Sequence, residues 1–235
     1  METEIQTSNT TVSIEPRMAV VGIGGAGCNV LSDVYWADGS IDTIAINTDK
    51  ISLREAMADK KVCLCRDVTK GEGAKGDSVL GERCARAHID EIEEVLKGYD
   101  TVVIVAGMGG GTGTGVAPVV AAAAHKLGII TITIPIRPFS FESNRMQVAK
   151  EGIAKLTAIC PMTVVIDNDK ILARCPDLTL ENAFKKVNGS IVEFISEKKR
   201  KIAEAMMYSL NDVGGMISDR IEKHSISAFA DTMHA

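Results

Sequence analysis

The chain has 235 residues, 46% of them hydrophobic and 24% charged, which is the balance of a folded globular protein with room for one large α/β domain or a domain with appendages. A formal net charge of −5 and an aromatic content of 4% leave neither a basic footprint nor a stacking platform, which argues against nucleic acid as the main partner. No apolar run reaches the ~18–20 residues of a membrane span.

Residues 1–17 are polar, end near Pro16 and read as a mobile N-terminal arm. Strand-like apolar runs then follow at 18–23, 41–46, 61–65, 101–106, 129–135 and 162–166, with candidate helices at 27–37, 78–97, 115–127 and 143–158 between them. Near-continuous apolar strands alternating with helices predict a parallel sheet covered on both faces, with ligands gathered at the carboxyl ends of the strands. Six cysteines (Cys28, Cys63, Cys65, Cys84, Cys160 and Cys175) form no CxxC pair, so neither zinc nor a disulfide framework is expected. Cys63 and Cys65 are expected on alternate positions of one strand, facing the same side. Free thiols without a signal peptide point to the cytoplasm. From Leu180 one helical stripe runs through Phe184, Val187, Ile191, Ile195, Ile202 and Met206, with Thr179 as its N-cap. The run Lys198-Lys199-Arg200-Lys201 reads as a solvated helix face, and Gly214-Gly215 is expected to end the helix before a short helical tail.

Two glycine loops carry the chemistry. The first strand leads into Gly22-Ile23-Gly24-Gly25-Ala26-Gly27-Cys28-Asn29, which satisfies GxGxxG, and Asp49 falls where a dinucleotide fold places its ribose-binding acid. Read alone, this fits a nicotinamide or flavin enzyme. The fourth strand leads into Gly109-Gly110-Gly111-Thr112-Gly113-Thr114-Gly115, five glycines in seven positions. A backbone without Cβ atoms can approach a ligand closely, and the following helix adds unpaired N–H donors and the positive end of its dipole. Such a loop binds phosphate, and two such loops can enclose one compact polyphosphate. The sequence GxxxxGK[ST] is absent, so the site would be built mostly from backbone amides.

The motifs GIGGAGCN (22–29), INTD (46–49), AGMGGGTGTGVAP (106–118), PFSFE (138–142) and NDK (168–170) resemble, in order and spacing, the tubulin/FtsZ superfamily on its FtsZ side. The resemblance spans roughly residues 18–195. It implies a Rossmann-like α/β GTP-binding domain with a parallel sheet at 18–179, then a long C-terminal helix at 180–235. By motif, Gly25, Ala26, Gly27, Cys28 and Asn29 contact the phosphates and base, with Asn29 near the guanine. Gly111, Thr112 and Gly113 hold the β- and γ-phosphates, and Gly110, Thr114 and Asp49 join the nucleotide site. The loop with Ala74, Lys75 and Gly76 resembles the γ-phosphate sensor, Lys75 being an unpaired cation there. Glu142 matches the ribose acid and Arg145 the arginine that follows it, in a segment one residue shorter than the family's. Phe184 and Asn188 match the contacts of the long helix to the base, Asn188 accepting through its carbonyl.

The resemblance also implies GTP or GDP as ligand, Mg2+ as a candidate companion, and self-association or docking on a complete FtsZ-like partner. The family's hydrolytic loop, N-x-D-x-x-D, has its nearest counterpart at 226–231, where Ile226 and Ala228 replace the amide and first acid and only Asp231 remains. The family's second domain is not expected within the chain. Guanine-nucleotide binding with weak or assembly-dependent GTP hydrolysis is therefore expected. A regulatory GTP-binding partner of a complete FtsZ, or a dinucleotide oxidoreductase, are the alternatives.

Overall fold

A computed structural model describes residues 16–174 and 179–232, apart from the side chains of 171, 180 and 210–232. Six strands form one sheet: β1 Met18–Ile23, β2 Asp42–Asn47, β3 Lys60–Cys63, β4 Thr101–Gly107, β5 Ile130–Arg137 and β6 Ile166–Asp167. Their order is β3-β2-β1-β4-β5-β6 and every pairing is parallel. The order reverses direction at β1, where β2 lies on one side and β4 on the other. That is the switch point at which a parallel sheet opens a crevice for ligands.

All six residues of β1 are buried, as expected of a strand covered on both faces. The period-2 alternation sorts its side chains into two cores. Ala19, Val21 and Ile23 join Ile44, Ile46, Val102 and Ile104 on one face. That face is covered by α4 Ser78–Ala87, α5 Ile89–Leu96, α6 Gly111–Lys126 and α7 Ser143–Ile159. Val20, Ala45, Val103, Val105, Ile132 and Ile134 form the other, under α1 Gly24–Ala37, α2 Lys50–Glu55 and the start of α9 Leu180–Thr232. Two further short helices, α3 Arg66–Thr69 and α8 Asn168–Arg174, sit in connections.

Residues Arg17–Glu197 form one compact unit, and the chain from Lys198 onward belongs to a separate one. Within the first unit, Val187, Ile191 and Ile195 are fully buried in the second core. Each contributes ~1.5–3 kcal/mol of burial free energy. Ile191 and Ile195 therefore do not belong to an exposed apolar strip on the long helix. Thr179 caps that helix as expected, its Oγ1 accepting from Asn182 N–H at 3.3 Å.

Several elements differ from the sequence reading. Both helices that follow the glycine loops begin inside them, α1 at Gly24 and α6 at Gly111. Helix α9 continues through Gly214-Gly215 and through 226–231, so the expected tail and loop are helical backbone. Two glycines cost only ~2 kcal/mol against alanine, which the rest of a long helix can absorb. The strand expected at 162–166 is reduced to the two-residue β6, preceded by one bridge between Thr133 and Thr163. Val164 and Val165 are exposed at that sheet edge. The helix expected at 78–97 breaks at His88, whose Nε2 accepts the Cys65 N–H at 3.0 Å. Cys65 lies beyond β3 with φ 48°, so Cys63 and Cys65 do not share a strand face. Arg17 is tied down, its N–H donating to Asp100 Oδ2 at 2.8 Å, while the rest of the expected arm (1–15) and Cys175 lie outside the described residues. Among the described residues no helix is long and apolar enough to cross a membrane.

Candidate functional site

The carboxyl ends of β1, β2, β4 and β5 open onto a cavity of about 670 Å3. The two glycine loops form its floor. Gly24, Gly25, Ala26 and Asn29 come from the start of α1, and Gly110, Gly111, Thr112 and Gly113 from the start of α6. The loops approach closely, since a Cβ on Gly107 would stand 2.6 Å from the Ala26 Cβ, and the second loop is itself tightly wound, since a Cβ on Gly113 would stand 2.1 Å from the Gly107 carbonyl oxygen. The first N–H groups of α6 have no intrahelical partners and face the region where an anion is stabilised by the helix dipole.

The signature loop is braced from both sides. Thr112 and Thr48 share a hydroxyl–hydroxyl hydrogen bond of 2.6 Å, which ties the end of β2 to the start of α6. The Thr48 carbonyl accepts from Gly73 N–H at 3.2 Å, joining a third loop to the same frame. Asp49 caps α2 by accepting from Ser52 N–H at 2.9 Å, and Asp77 caps α4 by accepting from Val79 and Leu80 N–H. Asp49, Ala74, Lys75 and Gly76 all line the wall. Lys75 is ion-paired with Glu72 rather than unpaired, because the turn folds its ammonium back onto the acid three residues earlier.

The opposite wall is supplied by the β5–α7 connection and α9. Glu142 and Arg145 are joined by a 2.6 Å ion pair, and Glu142 Oε1 also accepts from Phe139 N–H. The shortened segment thus still delivers Arg145 to the cavity. Phe184 packs edge-on against Phe139 with centroids 5.5 Å apart, and 43% of its surface stays open. Asn188 lies one turn further along α9 and donates from Nδ2 to Asp33 Oδ2 at 2.8 Å.

Three expected residues are not in the cavity wall. Gly27 and Cys28 point away from it, Cys28 with its thiol buried in the second core and donating to the Gly22 carbonyl at 3.6 Å. Burial pushes that thiol up to about 12. Thr114 is turned inward, where its hydroxyl accepts the Gly109 N–H at 2.8 Å and holds the loop's shape. Asp231 lies among the residues whose side chains are outside the description.

Two lining residues were quoted in motifs but assigned no role. Asn47 and Asn168 are both buried, and Asn47 Nδ2 and Asn168 Oδ1 have no hydrogen-bond partner within the protein. A buried polar atom left unpaired costs ~1–3 kcal/mol, so such atoms on a cavity wall point to a ligand that satisfies them. The signal was present in the INTD and NDK motifs, but only burial distinguishes these amides from solvated ones. As to metal, the lining acids Asp49, Glu72 and Glu142 are each already engaged. Among the described residues no group of three or more His, Cys, Asp or Glu side chains can hold an ion.

Comparison with known proteins agrees with this geometry. Residues 17–176 match the model of the Tubulin/FtsZ family, GTPase domain. The chain is 40% identical over 207 residues to cell division protein FtsZ 2 of Methanocaldococcus jannaschii, covering 87% of this chain and 54% of that protein. It is 38% identical over 199 residues to cell division protein FtsZ 2 of Halobacterium salinarum, covering 84% and 50%. Among solved structures it superimposes on an empty FtsZ dimer from M. jannaschii with a TM-score of 0.73 and 37% identity, over 77% of this chain and 53% of that one. The chain spans about half the length of the curated relatives it matches. It belongs to the tubulin/FtsZ family, and this membership displaces the dinucleotide-oxidoreductase alternative.

Proposed function

With membership of the tubulin/FtsZ family as the premise, we propose that the chain is a guanine-nucleotide-binding module of a cell-division or cytoskeletal protein. The observation that carries this reading is the convergence of two glycine loops on one cavity that also holds the unpaired amide atoms of Asn47 and Asn168. The N–H groups of Gly110, Gly111, Thr112 and Gly113 hold the phosphates, with the α6 dipole behind them. Arg145 adds a cation, and Glu142, which fixes Arg145, accepts from the ribose. The open face of Phe184 stacks on the base. Asn188 and Asn29 read its edge. Mg2+, when bound, neutralises phosphate charge. It would be held by phosphate oxygens and water, since the described residues offer no preformed cluster of ligands.

Hydrolysis calls for a group that orients the attacking water. The acids that line the cavity, Asp49, Glu72 and Glu142, are each drawn into a cap or an ion pair. At the positions matched to the family's hydrolytic loop, Ile226 and Ala228 have side chains that cannot hold a water. The chain therefore binds GTP firmly and turns it over slowly alone. Assembly with a complete FtsZ-like partner supplies the missing acids. The test is phosphate release measured across protein concentrations, with sedimentation in parallel. A slow rate that a complete FtsZ raises supports the reading. Fast hydrolysis by the dilute chain refutes it.

A further inference from the structure

Asn188 and Asp33 are 155 residues apart, yet the fold places the Asn188 amide 2.8 Å from the Asp33 carboxylate, linking α9 to α1 beside the cavity. Asn188 lines that cavity, whereas Asp33 is not part of its wall. An ionised carboxylate is an acceptor only, so the amide must turn its NH2 group toward Asp33. Asp33 takes one of the two N–H groups of Nδ2 and holds that end of the amide toward a residue outside the wall, so the end turned to a ligand is Oδ1, an acceptor.

We infer that Asp33 is a positioning residue for base specificity, holding Asn188 as an acceptor so that the site selects guanine over xanthine. The inference rests on the guanine-nucleotide reading above. Guanine presents two neighbouring donors on its edge, N1–H and the N2 amine. Xanthine keeps N1–H but has a carbonyl oxygen in place of the amine. A free asparagine amide matches xanthine well, since Oδ1 accepts from N1–H while Nδ2 donates to that carbonyl. Against guanine the same free amide would set Nδ2 opposite the N2 amine, donor against donor. With the Nδ2 end held toward Asp33, the amide no longer turns its nitrogen to the base, which weakens the xanthine match and relieves the clash with guanine. Adenine, whose N1 is an acceptor, is disfavoured by Oδ1 as long as the amide is held.

The experiment is calorimetric titration of the wild-type chain, Asp33→Ala and the exchanged pair (Asp33→Asn together with Asn188→Asp) with GTP, XTP and ATP. The wild type is expected to prefer GTP to both others. Releasing the amide in Asp33→Ala should weaken GTP and tighten XTP, so that the preference falls by about tenfold, a modest scale because the Asn188–Asp33 pair is solvent-exposed. In the exchanged pair the two groups trade places: the amide now on α1 donates to the carboxylate now on α9. That carboxylate keeps an oxygen for the base, and guanine preference should return. An unchanged GTP-to-XTP ratio in Asp33→Ala, or equal weakening of both, overturns the inference while leaving guanine binding intact. If Asp33→Ala does not fold, the exchanged pair decides: a loss of guanine preference there overturns the inference. A wild type that prefers ATP, or binds none of the three, overturns the guanine reading itself and the inference with it.

Discussion

Gly110→Asp separates the phosphate-binding role of the signature loop from its structural role. Gly110 is the N-cap of α6 with φ −95° and ψ 176°, an extended backbone that any residue adopts. A Cβ there would have its nearest neighbour, Arg145 Nη2, 4.0 Å away, so the side chain enters open cavity. Aspartate is a favoured N-cap and should stabilise α6 by a few tenths of a kcal/mol relative to glycine. Its carboxylate takes the helix N–H donors that phosphate would use and adds a like charge. One such charge ~5 Å from a phosphate charge, at an effective dielectric of ~20, costs about 3 kcal/mol. That is about a hundredfold in Kd. Gly111→Asp is a poorer probe, because a Cβ there meets Ala74 Cβ at 2.7 Å and the Ala74 oxygen and Asp77 nitrogen at 2.9 Å, which would displace the neighbouring loop. Calorimetry with GTP and a thermal melt should show binding weakened about a hundredfold and Tm unchanged or slightly raised. A Kd for GTP within about threefold of the wild type, with an unchanged melt, would refute the placement of phosphate on this loop.

Phe184→Ala should weaken GTP and ATP alike by about tenfold or more, since base–aromatic stacking contributes ~1–3 kcal/mol and every base has a π-face; a selective loss of one nucleotide would contradict a stacking role. Ile191→Ala, at a fully buried position in the second core, should destabilise the fold by ~2–5 kcal/mol, read as a lower denaturant midpoint; a surface-like effect of a few tenths would show that α9 is not packed there. Cys28, its thiol raised from 9.0 to about 12 by burial, contributes stability that is complete below pH 9 and is lost as pH rises toward 12, because the unfolded chain releases its proton first. Denaturant titrations from about pH 8 upward should show stability falling less steeply in Cys28→Ala than in the wild type, and identical slopes would remove the assignment.

The parts legible in the sequence were those whose chemistry is local. Apolar runs bounded by glycine loops revealed the parallel sheet, and the motif of seven residues at 109–115 marked one side of the cavity because so few other uses exist for that many glycines after a buried strand. Propensity misled where tertiary structure overrides it. Glycine is a poor helix former, so α1 and α6 were expected to start several residues late, yet Gly24 and Gly111 are already helical. Gly214-Gly215 likewise failed to end α9. Neighbourhood in a motif also overreached: Cys28 and Thr114 sit beside true wall residues but turn inward, one to fill the core and the other to satisfy the Gly109 N–H. The stripe on α9 is legible in the sequence, but not which cover it meets: the sheet buries Val187, Ile191 and Ile195. The Asp33–Asn188 hydrogen bond joins residues too distant for any local pattern to connect.

The central claim is that the cavity is built for a guanine nucleotide. Its most direct test is calorimetric titration of the purified chain, stripped of bound nucleotide, with GTP, GDP, ATP and NAD under one buffer condition. GTP and GDP should bind at a single site per chain, with ATP and NAD weaker by about two orders of magnitude or more, because a base that mismatches a hydrogen-bonding site leaves buried polar groups unpaired. Equal affinity for ATP and GTP, or a preference for NAD, would contradict the account.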